Sequence, residues 1–263
     1  MLVTTADSAS VHMIRRAEKL AEELGCRYAP RAKLSLGKLI RKYNEADVLV
    51  VTEQQIRYVR LDGESLSFHP SMSFVRVKRL IRGDADAMIE ACGLRPGDSV
   101  LDCTAGFASD SIVFAYAVGS GGSVTALESE LPMYGLVKTG LQSYETDVPE
   151  MNEAMRRIRM VHADHNEYLR QMPAGSVDFV YFDPMFRDPL TQSSAMNPLR
   201  ALANHASVTD EAIRLAKRAA RKAVVLKEQR GSAEFGRLRF TEICGGSHSK
   251  IAYGVIRIAA NDE

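Results

Sequence analysis

Four residues, Asp183-Pro184-Met185-Phe186, follow directly on the apolar run Phe179-Val180-Tyr181-Phe182. A short buried strand that ends in Asp-Pro and an aromatic suits the handling of an exocyclic amine. The carboxylate of Asp183 and the carbonyl of Pro184 can each accept a hydrogen bond from one amino proton, and Phe186 can stack on the flat ring that carries the amine. Such a nitrogen is a poor nucleophile because its lone pair is delocalised into the ring. Acceptors that hold both protons favour a pyramidal nitrogen, which can attack an electrophilic methyl group. Asp183, Pro184 and Phe186 are therefore the candidate catalytic residues. The same segment also reads as a plain proline turn, because Asp and Pro are common in turns.

The elements around the motif bear on that choice. From residue 99 onward strands and helices alternate. Strands are expected at Ser99 to Asp102, Ser123 to Glu128, Ile158 to His162, Val177 to Phe182 and Ala223 to Lys227. Helices are expected at Ser109 to Val118, Leu131 to Tyr144, Asn166 to Gln171 and Ser207 to Arg221. A helix from about Val75 to Cys92 precedes them, and Arg237 to Ile243 with Ile251 to Ile258 reads as a closing hairpin. Nearly all-apolar strands in repeated β-α units imply a parallel sheet covered by helices on both faces. Residues 1–72 read differently, as a small N-terminal α+β domain whose hairpin turns at Asp62-Gly63, with His69-Pro70 as a plausible boundary; residues 73–263 form the second domain.

Composition sets bounds. A chain of 263 residues with 46% hydrophobic and 25% charged content is that of an ordinary globular protein. No apolar run approaches ~18 residues, so no membrane span is expected. The N-terminus lacks the basic start and apolar core of a signal peptide. Cys26, Cys92, Cys103 and Cys244 lie far apart without a C-x-x-C spacing, which implies free thiols and a cytoplasmic location. No metal site is expected, since the one H-x-E, His165 to Glu167, lacks the P-C-x-x-C of a deaminase. A net charge of +1 says little about partners. Two basic clusters say more: Arg76, Lys78, Arg79 and Arg82 without an acid between them, and Arg214, Lys217, Arg218, Arg221 and Lys222 on an expected helix. Each alone reads as a solvated face; together they lend modest support to a polyanionic substrate.

In parallel sheets of this kind ligands bind beyond the carboxyl ends of the strands. The first strand ends at Asp102-Cys103-Thr104-Ala105-Gly106-Phe107-Ala108-Ser109-Asp110. Gly106 permits close backbone approach to a ligand. Asp102 can order the loop or reach a cationic group, with Thr104 in the same loop. Ser109 and Asp110 sit where a helix begins, and an acid there suits an ammonium or sulfonium better than a pyrophosphate. Glu128, 26 residues after Asp102, can accept both hydroxyls of a ribose. The third strand leads to Asp164, which can accept an adenine amino group, and the fourth to Asp183. Acids at four successive strand ends fit a cationic, adenosine-bearing cofactor, S-adenosylmethionine.

Asp102-Cys-Thr-Ala-Gly106-Phe-Ala-Ser-Asp110, Glu128, Asp183-Pro-Met-Phe186 and Val224-Val225-Leu226-Lys227 resemble the class I S-adenosylmethionine-dependent methyltransferases. More narrowly, they resemble the bacterial small-subunit ribosomal RNA guanine-N2 methyltransferase group, with its D-x-T-A-G-x-G-R-D and D-P-M-F motifs. The likeness covers about Val75 to Lys227 and implies an α/β, Rossmann-like class I methyltransferase sheet. It further implies that Ser109, Asp110, Glu128, Ser129, Asp164, His165 and Asp183 line the cofactor site. Ala108 and Ser109 stand where that group has Gly and Arg, and Ala108 is unstrained only at negative φ.

The expected reaction is methyl transfer to a nucleobase amine, most simply guanine N2 in rRNA or a ribosomal particle. Arg76, Lys78 and Arg79 would bind substrate phosphates, and Lys227 would contact a phosphate or Asp183, or serve a plain structural role. Two alternatives remain open at this point: a methyltransferase for a small-molecule or protein amine, and a non-catalytic RNA-binding protein on the same fold. An NAD-dependent enzyme is disfavoured by the absence of G-x-G-x-x-G.

Overall fold

A computed structural model describes residues 1–185, 206–246 and 249–259. They fall into two compact units: Met1–His69 with Glu130–Glu145, and, among the described residues, 70–129, 146–185 and 206–259.

The first unit runs β1 (Leu2–Thr5), α1 (Val11–Glu23), β2 (Arg27–Tyr28), α2 (Leu36–Tyr43), β3 (Asp47–Val51), β4 (Ile56–Arg60) and β5 (Ser65–Ser67). Its sheet has the order β2-β1-β3-β4-β5, parallel from β2 to β3 and antiparallel thereafter. Ser10 and Ser35 cap the two helices through their side-chain oxygens. Met13, Ala17, Leu20 and Ala21 recur at helical spacing and are buried, which turns one stripe of α1 inward. Val48 to Val51 are all buried because β3 is the central strand, so its sequence does not alternate.

The second unit runs α3 (Ser71–Ile81), α4 (Ala87–Cys92), β6 (Ser99–Asp102), α5 (Ser109–Val118) and β7 (Ser123–Glu128). The next helix, α6 (Leu131–Ser143), lies within the first unit. Then follow α7 (Pro149–Arg157), β8 (Ile158–His162), α8 (His165–Gln171), β9 (Val177–Phe182), α9 (Asp210–Ala219), β10 (Ala220–Gln229), α10 (Ala233–Arg237), β11 (Glu242–Cys244) and β12 (Ile251–Arg257). The sheet order is β11-β12-β10-β9-β6-β7-β8. Strands β6 to β10 are mutually parallel and β12 is antiparallel to β10. The chain thus winds outward from β6 through β7 to β8, then returns to place β9 on the other side of β6. The switch point lies between β6 and β9, whose carboxyl ends carry Asp102 and Asp183. All six residues of β9 are buried, and Phe114 of α5 packs edge-on against Tyr181 with ring centroids 4.9 Å apart.

Several expected elements are revised. The single helix expected over 75–92 is two, broken where Gly83 takes φ +88° and Asp86 caps α4 by accepting from the Met88 and Ile89 amides. Arg221 and Lys222 belong to β10, not to a helix face. Residues 233–237 form a helix started by the Ser232 cap, leaving only Glu242–Cys244 as strand. α7 was not foreseen; Pro149 opens it, and Met151, Ala154 and Met155 anchor it. α6 joins the first unit because its small residues permit close approach. A Cβ at Gly135 would meet Leu24 Cδ1 at 2.8 Å, and one at Gly140 would collide with the Phe68 ring.

Among the described residues no helix is long and apolar enough to cross a membrane, and no group of His, Cys, Asp and Glu is arranged to hold a metal ion.

Candidate active site

The loop after β6 is built from backbone hydrogen bonds to both neighbouring strands. The Cys103 amide donates to the Tyr181 carbonyl (2.9 Å) and the Ala105 amide to the Leu127 carbonyl (3.0 Å). Asp102, only 1% exposed, accepts from the Thr104 amide (3.1 Å) and the Ser111 hydroxyl (2.5 Å). Of its two expected roles, ordering the loop is the one these contacts show. Burial pushes its carboxyl up to about 7, against the Ser111 and Thr104 hydrogen bonds. Glu128 at the end of β7 accepts from the Gly106 amide (3.1 Å), and the Glu128 carbonyl accepts from Ala163 (3.0 Å). Three strand ends are thereby tied together by one loop.

Gly106 takes φ +50°, and a Cβ there would meet nothing within 4 Å, so its backbone faces open space. Ala108 takes the strained of the two conformations that the sequence reading left open. Its φ is +58°, in the left-handed region, although its side chain is fully buried. It caps α5 with no side-chain hydrogen bond. An alanine in this conformation carries roughly 1–2 kcal/mol of strain. Ala108→Gly is therefore expected to leave stability within about 1 kcal/mol of the parent, since relieved strain offsets added chain entropy. Ala108→Val is expected to cost about 2 kcal/mol or more, because a β-branched residue tolerates positive φ poorly. Urea denaturation of both variants measures this, and equal stability of the two would contradict it.

Asp110 is a correction to the sequence reading. Its place in the first turn of α5 suggested an acid open to a cationic ligand. Its carboxylate is instead 6% exposed and engaged on three sides: by Lys227 Nζ (2.8 Å), by the Tyr181 hydroxyl (2.7 Å) and by the Arg76 guanidinium. Burial alone would raise its carboxyl; the Lys227 and Arg76 charges outweigh that and hold it well below the usual carboxylate range. Arg76, expected on substrate phosphate, also makes a two-point pair with Asp86 (2.7 and 2.8 Å), so most of its donors are turned to partners inside the protein. Lys227 bridges Asp110 to Asp183, which lies 2.7 Å away, the second of its two expected partners. Burial and the Asp110 charge raise the Asp183 carboxyl to about 6, although Lys227 opposes them. The Asp183 amide donates to Thr104 Oγ1 (2.6 Å), which fixes the backbone at the motif, while the side chain stays 28% exposed.

The remaining expected residues are near other strand ends. Asp164 caps α8, accepting from the Asn166 and Glu167 amides. His165 stacks edge-on to Phe182 at 5.6 Å, and burial lowers its pKa, against the opposing charge of Asp164. The Ser129 carbonyl lies 2.9 Å from His162 Nε2. Ser109 opens α5 beside Asp110. Pro184 follows Asp183, and Phe186 lies outside the described residues. Lys78 and Arg79 pair with Asp147 (3.1 Å) and Asp84 (3.4 Å) and stay 37% and 60% exposed. The second basic cluster is largely structural: Arg218 donates to three carbonyls after Tyr168, Arg221 pairs with Asp178 and Lys222 with Asp98.

Sequence reasoning missed Tyr181, Asp86 and Ser111. Tyr181 had a signal: a phenol in the middle of an all-buried strand needs a buried partner for its hydroxyl. The partnership of Arg76 with Asp110, 34 residues apart, had none.

Known proteins resemble this arrangement. A family model described as "Putative SAM-dependent methyltransferase" matches residues 33–237. An uncharacterized Bacillus subtilis protein, YpiP, is 39% identical over 256 residues, 97% of this chain and 99% of its own length. Ribosomal RNA small subunit methyltransferase J of Laribacter hongkongensis is 35% identical over 121 residues, 45% of this chain. The protein of that name from Psychrobacter cryohalolentis is 27% identical over 62% of this chain. The matches span 42% and 58% of those two relatives' lengths. Among solved structures, the SAM-dependent methyltransferase NGO1261 from Neisseria gonorrhoeae superposes with a TM-score of 0.68 at 18% identity, covering 100% of this chain and 98% of its own, and so shares the fold. With a parallel-rich α/β sheet, acids at its strand ends and a family match over most of its length, the chain belongs to the S-adenosylmethionine-dependent methyltransferases and uses S-adenosylmethionine as its cofactor.

Proposed function

We propose that the acceptor is the exocyclic amine of a nucleobase, with guanine N2 of small-subunit rRNA the leading candidate. The observation that carries this reading is Asp183. It is an acid at the switch point, with its backbone tied to Thr104, its carboxylate held by Lys227 and part of its side chain still accessible. The name of the two Ribosomal RNA small subunit methyltransferase J relatives supports RNA as the substrate class.

The strand ends fit the cofactor. Open space over Gly106 and the α5 start without a side-chain cap would admit its amino-acid end, with the Ser109 and Asp110 amides as donors. Glu128 and Ser129 would hold the ribose, and Asp164 and His165 the adenine. Asp102 and Thr104 would keep the loop in shape. When bound, the cofactor supplies a methyl group on a cationic sulfur. The Asp183 carboxylate and the Pro184 carbonyl would hold the two amino protons, and Phe186 would stack on the base. Asp183 would take the proton that the nitrogen releases on accepting the methyl group. Catalysis would rest largely on positioning of the amine by Asp183, Pro184 and Phe186. Lys78 and Arg79 would contact backbone phosphates, so affinity would fall steeply with salt.

The pairing of Arg76, Arg221 and Lys222 with acids of this chain offsets positive charge that a polyanion would meet and favours a second reading, a small-molecule or protein-borne amine. Mass spectrometry of rRNA nucleosides from a strain lacking the gene separates the two. Loss of one methylated guanosine, restored by the gene, is expected. A full complement of methylated bases, or equal activity of the enzyme on free nucleosides and RNA, would refute the RNA assignment.

A further inference from the structure

One row of charges runs from the N-cap of α4, through Arg76 on α3, to the amine-holding acid: Asp86, Arg76, Asp110, Lys227, Asp183. Each neighbour in it is in hydrogen-bond contact. Three acids alternate with two bases, so the row carries one negative charge more than positive. Asp86 is fixed at one end because it also caps α4. Lys227 stands between two carboxylates, 2.8 Å from Asp110 and 2.7 Å from Asp183. How fully its charge serves Asp183 depends on how well Asp110 is neutralised from the other side, and Arg76 does that.

We propose that Arg76 is a positioning residue for Asp183, acting through Asp110 and Lys227, and is not a ligand for substrate phosphate. The inference rests on the reading of Asp183 as the acid that holds the amine. Its reach is electrostatic: a charge removed from a buried row is felt by its other members. The charged and titratable groups that face Asp183 are Lys227 on β10, Asp110 on α5, Asp102 on β6 and Tyr181 on β9. Asp110 is faced in addition by Arg76 on α3, Cys92 on α4 and Tyr253 on β12. Only Arg76 and Lys227 among these are cationic. Removing Arg76 leaves Lys227 to answer two carboxylates, and Asp183 should then hold its proton to higher pH. Removing the Asp110 charge should do the opposite.

The test is a carbon-13 carboxyl titration of aspartate-labelled protein, with the Asp183 signal assigned by its loss in Asp183→Asn. Arg76→Gln is expected to move the Asp183 midpoint up by about one pH unit, and Asp110→Asn to move it down. Arg76→Lys, which keeps the charge, should titrate close to the parent. Should Arg76→Gln fail to fold, Asp110→Asn and Arg76→Lys still carry the comparison. Superimposable titrations in all folded variants would overturn the proposal. So would weakened, less salt-dependent RNA binding by Arg76→Gln with an unmoved midpoint, the mark of a phosphate ligand. The reading of Asp183 fails separately, if Asp183→Asn turns over at the parent rate whatever the titrations show.

Discussion

Asp183→Asn is expected to lower kcat by about 10²–10³-fold while S-adenosylmethionine binds as in the parent. The size follows from losing one preorganised, charge-bearing partner of the reacting group. An amide can still accept one hydrogen bond through its oxygen, but it cannot take a proton, and its NH₂ would face Lys227. A fall in kcat without a change in cofactor affinity is the signature of an interaction made mainly in the transition state. Calorimetry with the cofactor and transfer of a radiolabelled methyl group measure the two quantities. Normal binding together with parent-rate methylation would sink the amine mechanism. A pH dependence accompanies the prediction. Burial beside Asp110 raises the Asp183 carboxyl to about 6 despite Lys227. Only the ionised form accepts the proton, so the rate should fall as pH drops through that value and hold steady above it. The acidic limb should vanish in whatever residual activity Asp183→Asn retains.

Lys227→Met should have the largest effect on stability. The ammonium is the shared partner of two carboxylates, and removing one member of a buried pair typically costs about 3–5 kcal/mol. Arg76 and the Tyr181 hydroxyl remain on Asp110, which places the expectation at the lower end of that range. The sign of its pH dependence can be worked out. Against the burial that would raise it, Lys227 and Arg76 hold the Asp110 carboxyl below its unfolded value. A group depressed in the folded state contributes stability above its unfolded pKa of about 4 and loses it as pH falls. Without Lys227 that contribution shrinks, and Asp183 more readily takes up a proton on folding. The gap between parent and variant should therefore be widest near pH 8 and narrow toward pH 4, as read from urea denaturation at each pH. A gap independent of pH would mean that the lysine acts by packing alone.

The sheet was legible in the sequence because parallel strands buried on both faces are nearly uniform apolar runs. Val177 to Phe182 and Val224 to Leu226 need no partner information to be recognised. The strand-end acids were legible for a related reason, since position after such a run sets which way a residue must lie. What each acid does there was not. Asp110 and Glu128 look alike as single letters, yet one is sealed inside an ion-pair row and the other holds the Gly106 amide. Charge pairing between α3 and α5, or between β10 and the start of β9, depends on distances that only the fold creates. The basic residues at 221 and 222 were misplaced because the helix ends at Ala219 and the following residues enter β10. The sign of φ at Ala108 likewise follows from the loop being tied to two strands at once.

The course of the chain between its two units has a consequence for synthesis. Residues 130–145 return to the first unit after β7 has already been laid down in the second. The unit that begins at Met1 is therefore incomplete when residue 69 leaves the ribosome. Phe68 has no Gly140 to pack against until the polypeptide is more than half made. A nascent chain stalled shortly after residue 69 should remain open to protease at its N-terminal sheet. One stalled well beyond residue 145 should resist, and the difference would time the closing of that unit.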